Sequence, residues 1–471
     1  MRVADPQVSF ADLAFIAQGV QLEPPLKAIA EFLTQHGDLV HRVRRDLERG
    51  LKNRTTGRPG LTPPQVLRSL ILMRVKNWDY RELRERIADG YTLRHFTQFD
   101  SQRVPKHDAF NRGVNRLRPA TVEAINQAII RAAVALGLED GQKLRVDTTV
   151  VETDIHHPTD NTLLWDSVRV LTRLVRKLDA LLPAGIGPFT NRTRSARRRM
   201  QEIQRMTPTE RHRRQVRTYR ALLTVTEKVI ADARAVVTRT ARARGVDLMV
   251  AATVDAIRQD LTRHCDLATR VVSQTTRRVL HGEQVPPDQK VYSIFETHTD
   301  LIKRGKVLKD VEFGHKVFLA ESGHGLITQY RVLDGNPADQ VHVERSLKAH
   351  QAAFGAAPRM YSSDRGFFNE ENLKTCRIAG VTLTCIPQAG GKRTPEREAV
   401  EKSRAFKRAQ RFRAGIEGRI SVLFRGRGMK RALVEGREHF ELFVGAAVLA
   451  NNLLVIAALL QRRKAGRRRA A

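Results

Sequence analysis

The chain has 471 residues, of which 41% are hydrophobic, so it can bury a sizeable core and wholesale disorder is excluded. Its formal charge of +33 at pH 7 opposes compact folding and indicates a polyanionic partner, with DNA or RNA favoured over a membrane surface. The three cysteines form no CxxC pair, which excludes a disulfide framework and a cysteine zinc site and fits a reducing cytoplasm.

The aromatic content bears on the kind of nucleic acid. Phe, Trp and Tyr make up only 6% of the chain. Proteins that bind single strands usually stack bases on aromatic rings, whereas contacts to a duplex backbone need only Lys and Arg. The composition therefore favours duplex DNA as the partner.

Several short helices are predicted in residues 1–138, which we interpret as an N-terminal domain. Thr62 and Asp79 stand in N-cap positions before two of them. "TLRHFTQFD" and "KHDAFNRGVNRLRP" predict two more, the last of them basic. Helices at this density resemble a helix-turn-helix module, in which Arg112 and Arg116 would contact DNA. A plain helical subdomain with solvated arginines is the alternative.

A second domain is predicted over residues 139–460, interrupted by an all-α insertion over residues 163–285. It opens with a strand from about Lys143 to Glu152. The insertion carries apolar stripes at helical spacing, through Leu164, Val168, Leu171, Val175, Leu178 and Leu182, and through Val216, Leu223, Ile230 and Val237.

Between the two stripes, residues 191–220 hold eleven arginines against two glutamates. So dense a run of one charge sign is unfavourable without a partner, and it predicts contacts to the DNA backbone. A solvated helical hairpin is the alternative. The arginines that we expect to touch DNA in this segment are Arg197, Arg198, Arg199, Arg213 and Arg214.

Strand patterns return after the insertion. "KVYSIFETH" predicts a strand, and "EFGHKVFLAES" with "GLITQYRVLDG" predicts a hairpin. A helix over residues 339–353, a strand ending at Asp364, a further helix, the strand "VTLTCIPQ", the loop "GGKRTPEREA" and a long basic helix over residues 400–424 follow. This order predicts a mixed α/β domain.

An apolar run from Phe440 to Leu460 is long enough to span a bilayer. Glu441, Asn451 and Asn452 interrupt it, and each is costly in hydrocarbon. We therefore predict a buried core helix and no membrane association. A basic tail, residues 461–471, follows it.

Three acids occupy unusual places: Asp147 inside the first strand, Asp364 at the end of a later strand, and Glu417 on the basic helix. Carboxylates in such positions need a cationic partner, which is either a basic side chain or a hard divalent metal. Spacing alone leaves ordinary salt bridges open. Weaker candidates for contact with metal or phosphate are Glu152, Asp154, Asp160, His156, His157 and Arg365. For each of them the alternative is a helix cap, an ion pair or a solvated side chain.

Four segments, "LRVDTTVVETDIHHPTDNTLLWDSVRVLTRL", "KVYSIFETHTDLIKRGK", "FGHKVFLAES" and "ANNLLVIAALL", resemble blocks of bacterial insertion-sequence transposases of the DDE type, most like the ISNCY group. "LTPPQVLRSLILMRVKNWDYRELRERI" is similar to their helical DNA-binding domain. The resemblance implies an RNase H-like mixed-sheet core with a helix-turn-helix-like N-terminal domain. It also implies that the acids Asp147, Asp364 and Glu417 are catalytic.

The family's helix carries an arginine four residues before the glutamate, and Arg413 keeps that spacing to Glu417. Relatives also have a tyrosine three residues before the arginine and a lysine seven after the glutamate, where this chain has Gln410 and Phe424. This chain therefore lacks that outer tyrosine–lysine pair. The arginines that could substitute as phosphate contacts are Arg419 and Arg425.

The resemblance implies a DNA transposase that binds the inverted-repeat ends of its own element and catalyses strand cleavage and strand transfer. It implies two Mg²⁺ ions, for which Mn²⁺ can substitute, and double-stranded DNA as partner. A homodimer or higher assembly in the cytoplasm, associated with the nucleoid, is expected. A non-catalytic DNA-binding descendant and a structure-directed RNase H-fold nuclease are the alternatives.

Overall fold

The computed structural model describes residues 9–17, 21–53, 56–57, 59–183, 185–242, 247–303 and 311–470. The chain divides into two compact units. The first unit consists of Met1–Thr153 and Gly314–Ala471, and the second unit of Asp154–Phe313.

Helices account for most of the described chain. They are α1 (Phe10–Ala17), α2 (Pro24–Gln35), α3 (Asp38–Glu48), α4 (Pro63–Lys76), α5 (Tyr80–Asp89), α6 (Tyr91–Thr97), α7 (His107–Val114), α8 (Pro119–Ala135), α9 (Asp160–Asp179), α10 (Thr193–Arg205), α11 (Pro208–Arg239), α12 (Leu248–Thr275), α13 (Val343–Phe354), α14 (Glu370–Ile378), α15 (Pro395–Lys402), α16 (Arg404–Gly426) and α17 (Arg437–Ala470). The strands are β1 (Lys143–Thr153), β2 (Asp300–Lys303), β3 (Val311–Ser322), β4 (Ile327–Val332), β5 (Met360–Ser362), β6 (Leu383–Cys385) and β7 (Arg431–Ala432).

The N-terminal helices begin where their capping residues predict. The Thr62 hydroxyl accepts the N–H of Gln65, and the Gln65 side chain accepts the N–H of Thr62, so α4 starts with a capping box. The Asp79 carboxylate accepts the N–H groups of Arg81 and Glu82 at the start of α5. Both predicted caps are confirmed, because each satisfies N–H groups that lack a partner within the helix.

β1 is a central strand of a mixed sheet, with the order β3-β1-β5-β6 in the first unit. It runs antiparallel to β3 and parallel to β5, which is parallel to β6. β4 pairs antiparallel with β3, so the predicted hairpin is confirmed, and β7 pairs with the end of β1. The mixed α/β class predicted for the chain is confirmed.

Side-chain alternation along β1 and β3 divides the core of the sheet into two layers. Leu144 and Val146 pack into the layer that contains α13 and α14, whereas Val151 packs into the layer that contains α16 and α17. Asp147 is opposite Leu319, which belongs to the second of these layers. The strand period therefore directs Asp147 towards the face that α16 covers.

The apolar run predicted as a core helix forms most of α17, which packs in the helical core of the first unit with α4 and α8. By length and composition this helix could cross a membrane, but 78% of its apolar window is buried inside the protein. The Asn452 amide donates to Asn126 and to the carbonyl of Ile327. The prediction of a buried core helix is confirmed. α17 continues through the predicted basic tail to Ala470, and residue 471 lies outside the described residues.

The second unit is built on α9, α10, α11 and α12. The predicted apolar stripe of α9 is buried from Leu164 to Leu182 and faces the other three helices. The stripe of α11 is buried at Leu223 and Ile230, but Val216 is 44% exposed. The prediction was wrong at Val216, because this residue lies among arginines in the first turns of α11, before the helix reaches the core.

Two predicted segments differ from the structure. No strand forms over residues 290–298. The Ser293 hydroxyl accepts the N–H groups of Phe295 and Glu296 there, which makes a turn, and the Val291 N–H donates to the side chain of Gln274.

The predicted loop before the basic helix contains α15, which the Thr394 hydroxyl caps by accepting the N–H of Arg397. The predicted basic helix begins only at Arg404. Ser403 ends α15 and caps α16, because its hydroxyl accepts the N–H of Phe406.

Candidate active site

The parallel pairing of β1 with β5 places Asp147 beside Asp364. Arg145 is opposite Ser362 in this pair. Asp147 lies two residues after Arg145 on β1, and Asp364 lies two residues after Ser362, just beyond the end of β5. Asp147 is 8% exposed, and its Oδ1 accepts the N–H of Thr148 at 2.7 Å. Asp364 follows β5, and its Oδ1 accepts the N–H of Gly366 at 2.9 Å. The sheet register therefore brings the first two predicted acids to one place.

The third acid, Glu417, joins them through Arg413, one turn earlier on α16. The guanidinium of Arg413 lies 3.0 Å from Oδ2 of Asp147, 3.9 Å from Oδ2 of Asp364 and 3.0 Å from Oε1 of Glu417. The Glu417 side chain is 67% exposed. One cation thus contacts all three acids, which come from β1, from the turn just after β5 and from α16.

α16 can carry Arg413 to this position because it is held close against β1. Arg145 on β1 donates from Nη1 to the carbonyl of Phe412 at 2.6 Å. A Cβ atom on Gly415 would approach Nη1 of Arg145 to 2.1 Å, so a larger residue here would displace this guanidinium from its bonds to Phe412 and Glu321. Glycine at this position leaves room for the Arg145 side chain.

A fourth carboxylate, Asp339, belongs to the same site and was not predicted as a functional residue. Its Oδ1 accepts the hydroxyl of Thr148 at 2.9 Å and lies 2.7 Å from Nζ of Lys316. A Cβ atom on Gly366 would meet oxygens of both Asp339 and Asp364 at about 3 Å. An acid shortly after a predicted strand was the available signal, but residue 339 was predicted only as the first residue of a helix.

The local charge balance is negative. Four carboxylates, those of Asp147, Asp364, Glu417 and Asp339, meet two cations, Arg413 and Lys316. Burial raises the pKa of Asp147 to about 6; the Arg413 cation opposes the rise, and the charges of Asp364 and Asp339 add to it. Burial also raises the pKa of Asp364, again against Arg413.

A second group of possible metal ligands lies elsewhere in the first unit. Among the described residues, Glu139, Asp140 and His324 are the group whose ligand atoms all lie within 4.8 Å of one another. The carboxylate of Glu139 is buried and already accepts the N–H groups of Asp140 and Gly141 and the hydroxyl of Ser322. These bonds tie the start of β1 to the β3–β4 turn, so Glu139 has a structural role.

The lesser candidates from the sequence have ordinary partners. Asp160 lies 2.9 Å from Arg278, and His156 lies 3.3 Å from Asp166, both within the second unit. His157 meets the ring of Phe313 edge-on. Glu152 and Asp154 also have partners, and Arg365 is exposed.

The predicted DNA-binding arginines separate into engaged and exposed groups. Arg419 pairs with Glu321 at 2.9 Å, Arg214 with Glu202 at 3.0 Å, and Arg116 donates to the carbonyl of Arg49. Arg199 donates to Ser195, and Arg413 holds the three acids. The arginines that are exposed, with no ion pair or side-chain hydrogen bond among the described residues, are Arg112, Arg197, Arg198, Arg213 and Arg425.

Comparison with known proteins gives a family match for one part of the chain. Residues 20–116 match the family described as Transposase domain (DUF772). The match covers about a fifth of the chain, from α2 to α7, and does not include the four acids. It supports a transposase-family protein. Neither curated proteins nor solved structures give a match.

Proposed function

We propose that the protein is a DNA transposase of the DDE type, with Asp147, Asp364 and Glu417 as its catalytic acids. The observation that carries this proposal is the contact of one guanidinium, that of Arg413, with all three carboxylates. The transposase-domain match over residues 20–116 supports the proposal independently, because it lies outside the acidic site.

We interpret the mixed sheet as an RNase H-like core and the helices from α4 to α7 as a helix-turn-helix-like DNA-binding region. The long central β1, antiparallel to β3 and parallel to β5, supports the first interpretation. The exposed Arg112 on α7 supports the second, since phosphate contacts need accessible cations.

The acidic site fits divalent cations by donor type and by charge. Carboxylate oxygens are the ligands that Mg²⁺ prefers, and the surplus negative charge around Asp147 favours a cation. Asp147, Asp364 and Glu417 would hold two Mg²⁺ or Mn²⁺ ions. Bound there, the metal would supply activation of water and stabilisation of the leaving oxygen. Arg413 neutralises part of the acidic charge, and Lys316 holds Asp339 in place.

The proposed reaction has two steps on double-stranded DNA. Water attacks a phosphodiester at each inverted-repeat end of the element, and the bond to the 3′ oxygen breaks. The freed 3′-hydroxyl then attacks a phosphodiester of target DNA and releases another 3′-hydroxyl. Two ends must be held together, so a homodimer or higher assembly in the cytoplasm, on the nucleoid, is proposed.

The test is cleavage and joining of DNA that carries the sequences flanking the coding region, with Mg²⁺ present. Asp147→Asn, Asp364→Asn and Glu417→Gln should bind this DNA and neither cut nor join it. Glu371→Gln, a change at an exposed acid of α14, should cut like the wild type.

Three results would contradict the proposal. Full cleavage by Asp147→Asn would show that the catalytic site is wrongly assigned. Binding of the ends without any Mg²⁺- or Mn²⁺-dependent cutting by the wild type would indicate a non-catalytic descendant. Cutting that needs no element ends, with no joining, would indicate a structure-directed nuclease.

A further inference from the structure

A basic groove runs along α9 in the second unit, and none of the sequence patterns pointed to it. It has a volume of about 490 Å³. Four cations line it, Arg169, Arg173, Arg176 and Lys177, together with Trp165, and no carboxylate does. These positions follow the three- and four-residue spacing of one helix face, so they form a continuous stripe.

Trp165 lies at one end of this stripe and has two environments. Part of its side chain packs against the hydrophobic core of the second unit, and part lines the groove. An indole fixed in this way is a rigid aromatic surface beside a row of cations. Tryptophan in such a setting suits a flat, polarisable ligand that carries negative charge.

The first cation of the stripe is held in position. Arg169 donates from Nη2 to Oδ1 of Asp166 at 2.8 Å, and its guanidinium carbon lies 5.4 Å from the centre of the Phe295 ring. Asp166 is buried and also lies 3.3 Å from His156. Arg169 is thus preorganised next to Trp165 at low entropic cost for a ligand.

The other three cations are not neutralised. Arg173, Arg176 and Lys177 are exposed and have no ion pair or side-chain hydrogen bond within the described part of the chain. Three unpaired positive charges within two turns of one helix repel one another, and an anion that bridges them relieves the repulsion. The groove therefore favours a ligand with several negative charges in a row.

We propose that this groove binds single-stranded DNA, with phosphates along Arg173, Arg176 and Lys177 and one base stacked on Trp165. A duplex keeps its bases stacked on each other, so it could use the cations but not the indole face. From Trp165 to Lys177 the helix rises about 18 Å, which is longer than a mononucleotide needs. The inference deepens the proposed function and rests on it for the source of the strand.

Intrinsic fluorescence tests the stacking directly, because the chain has two tryptophans, Trp78 and Trp165. In a Trp78→Phe protein, a short oligothymidylate should quench the remaining emission to saturation. A duplex of the same length and free thymidine monophosphate should quench it far less. Filter binding measures the variants that lack this indole. Trp165→Phe, which keeps an aromatic face, should retain binding, and Trp165→Leu should weaken it about 5-fold or more.

The cations have their own readout. Replacement of Arg173, Arg176 and Lys177 by Gln should reduce the slope of log affinity against log salt by about 2 for the single strand. Circular dichroism of each variant checks that the second unit remains helical.

Absence of quenching, equal quenching by duplex or monophosphate, or unchanged affinity of a folded Trp165→Leu protein would overturn the inference. A wild type that cuts element ends but ignores oligothymidylate would overturn this inference alone. One that binds oligothymidylate without cutting would overturn only the proposed function.

Discussion

Arg413 on α16 donates a hydrogen bond of 3.0 Å to Oδ2 of Asp147 on β1, across 266 residues of chain. The same guanidinium holds Glu417 and approaches Asp364. A single positive charge therefore organises three acids, and a fourth, Asp339, lies beside them with Lys316. This arrangement holds the acids together but leaves them with surplus negative charge, which suits a divalent cation.

The first prediction concerns how much the buried negative charge of Asp147 lowers the free energy of unfolding. Asp147→Asn should raise the free energy of unfolding of the metal-free protein at pH 7 by about 1–3 kcal/mol. Burial raises the pKa of Asp147 to about 6, so the ionised form destabilises the folded state, whereas an amide oxygen still accepts from Arg413.

The sign of the effect depends on pH. A raised carboxyl pKa costs stability above the folded-state pKa, and the cost vanishes below the unfolded-state pKa of about 3.8. The gain from Asp147→Asn should therefore disappear by about pH 4. Urea unfolding with EDTA at both pH values measures it, and a loss of stability at pH 7 would contradict the charge argument.

The second prediction separates two arginines of α16. Glu321 is fully buried and pairs with Arg145 at 2.7 Å and with Arg419 at 2.9 Å. Arg419→Gln should lower the free energy of unfolding by about 1–3 kcal/mol, because it leaves part of a buried charge without its partner.

The matched control is Arg425→Gln, at an exposed residue. It should leave stability within about 0.5 kcal/mol and reduce the salt slope of duplex binding by about 0.9. Unfolding curves and filter binding over a salt series distinguish the two. Equal effects of both variants on DNA affinity, with no difference in stability, would show that Arg419 is free for DNA.

The third prediction concerns the arginine-rich helices of the second unit. Replacement of Arg197, Arg198 and Arg213 by Gln should weaken duplex binding and lower the salt slope by up to about 2.7, since each phosphate contact contributes about 0.9. Arg199 and Arg214 are engaged by Ser195 and Glu202, so the double Gln variant at these two positions is the control. A larger loss of affinity in the control would refute the assignment.

The fourth prediction concerns a buried histidine. His350 is fully buried and its ring nitrogen donates to the carbonyl of Gly141 at 2.9 Å. Burial lowers the pKa of His350 to about 4, against the raising effects of Gly141 and the charge of Glu139.

A lowered histidine pKa stabilises the fold above the unfolded value of about 6.5, and this stability is lost as the pH falls towards 4. The loss should reach about 3 kcal/mol, from about 1.4 kcal/mol per pKa unit. His350→Gln keeps a donor and does not titrate, so its unfolding free energy should fall less over that range. Identical pH profiles of the two proteins would disprove the assignment.

The predictable parts of this protein are those set by local chemistry. Thr62 and Asp79 predict where their helices begin, because capping needs only neighbouring N–H groups. The hairpin β3–β4 follows from the two-residue period of its strands and from the turn residues between them. The apolar stripe of α9 follows from the helical spacing of its apolar residues. Asp147 stood out because a carboxylate inside a strand needs an explanation.

The rest depends on contacts between distant segments. Asp339 joins the acidic site only because Thr148 and Lys316 hold it there, and no spacing encodes this meeting. Residues 290–298 have strand-like composition but turn because Ser293 and Gln274 bind their N–H groups. The exposed and engaged arginines look identical in sequence, because only the fold supplies partners such as Glu321.

The central claim is that Asp147 and Asp364 belong to one metal site. A Mn²⁺ titration tests it most directly, with the electron paramagnetic resonance signal of the free ion as the measure of binding. The wild type should bind Mn²⁺, and Asp147→Asn and Asp364→Asn should each lose affinity about 10-fold or more. Asp140→Asn, at the separate Glu139 cluster, should bind like the wild type. Wild-type affinity in Asp147→Asn, or loss of binding only in Asp140→Asn, would contradict the account.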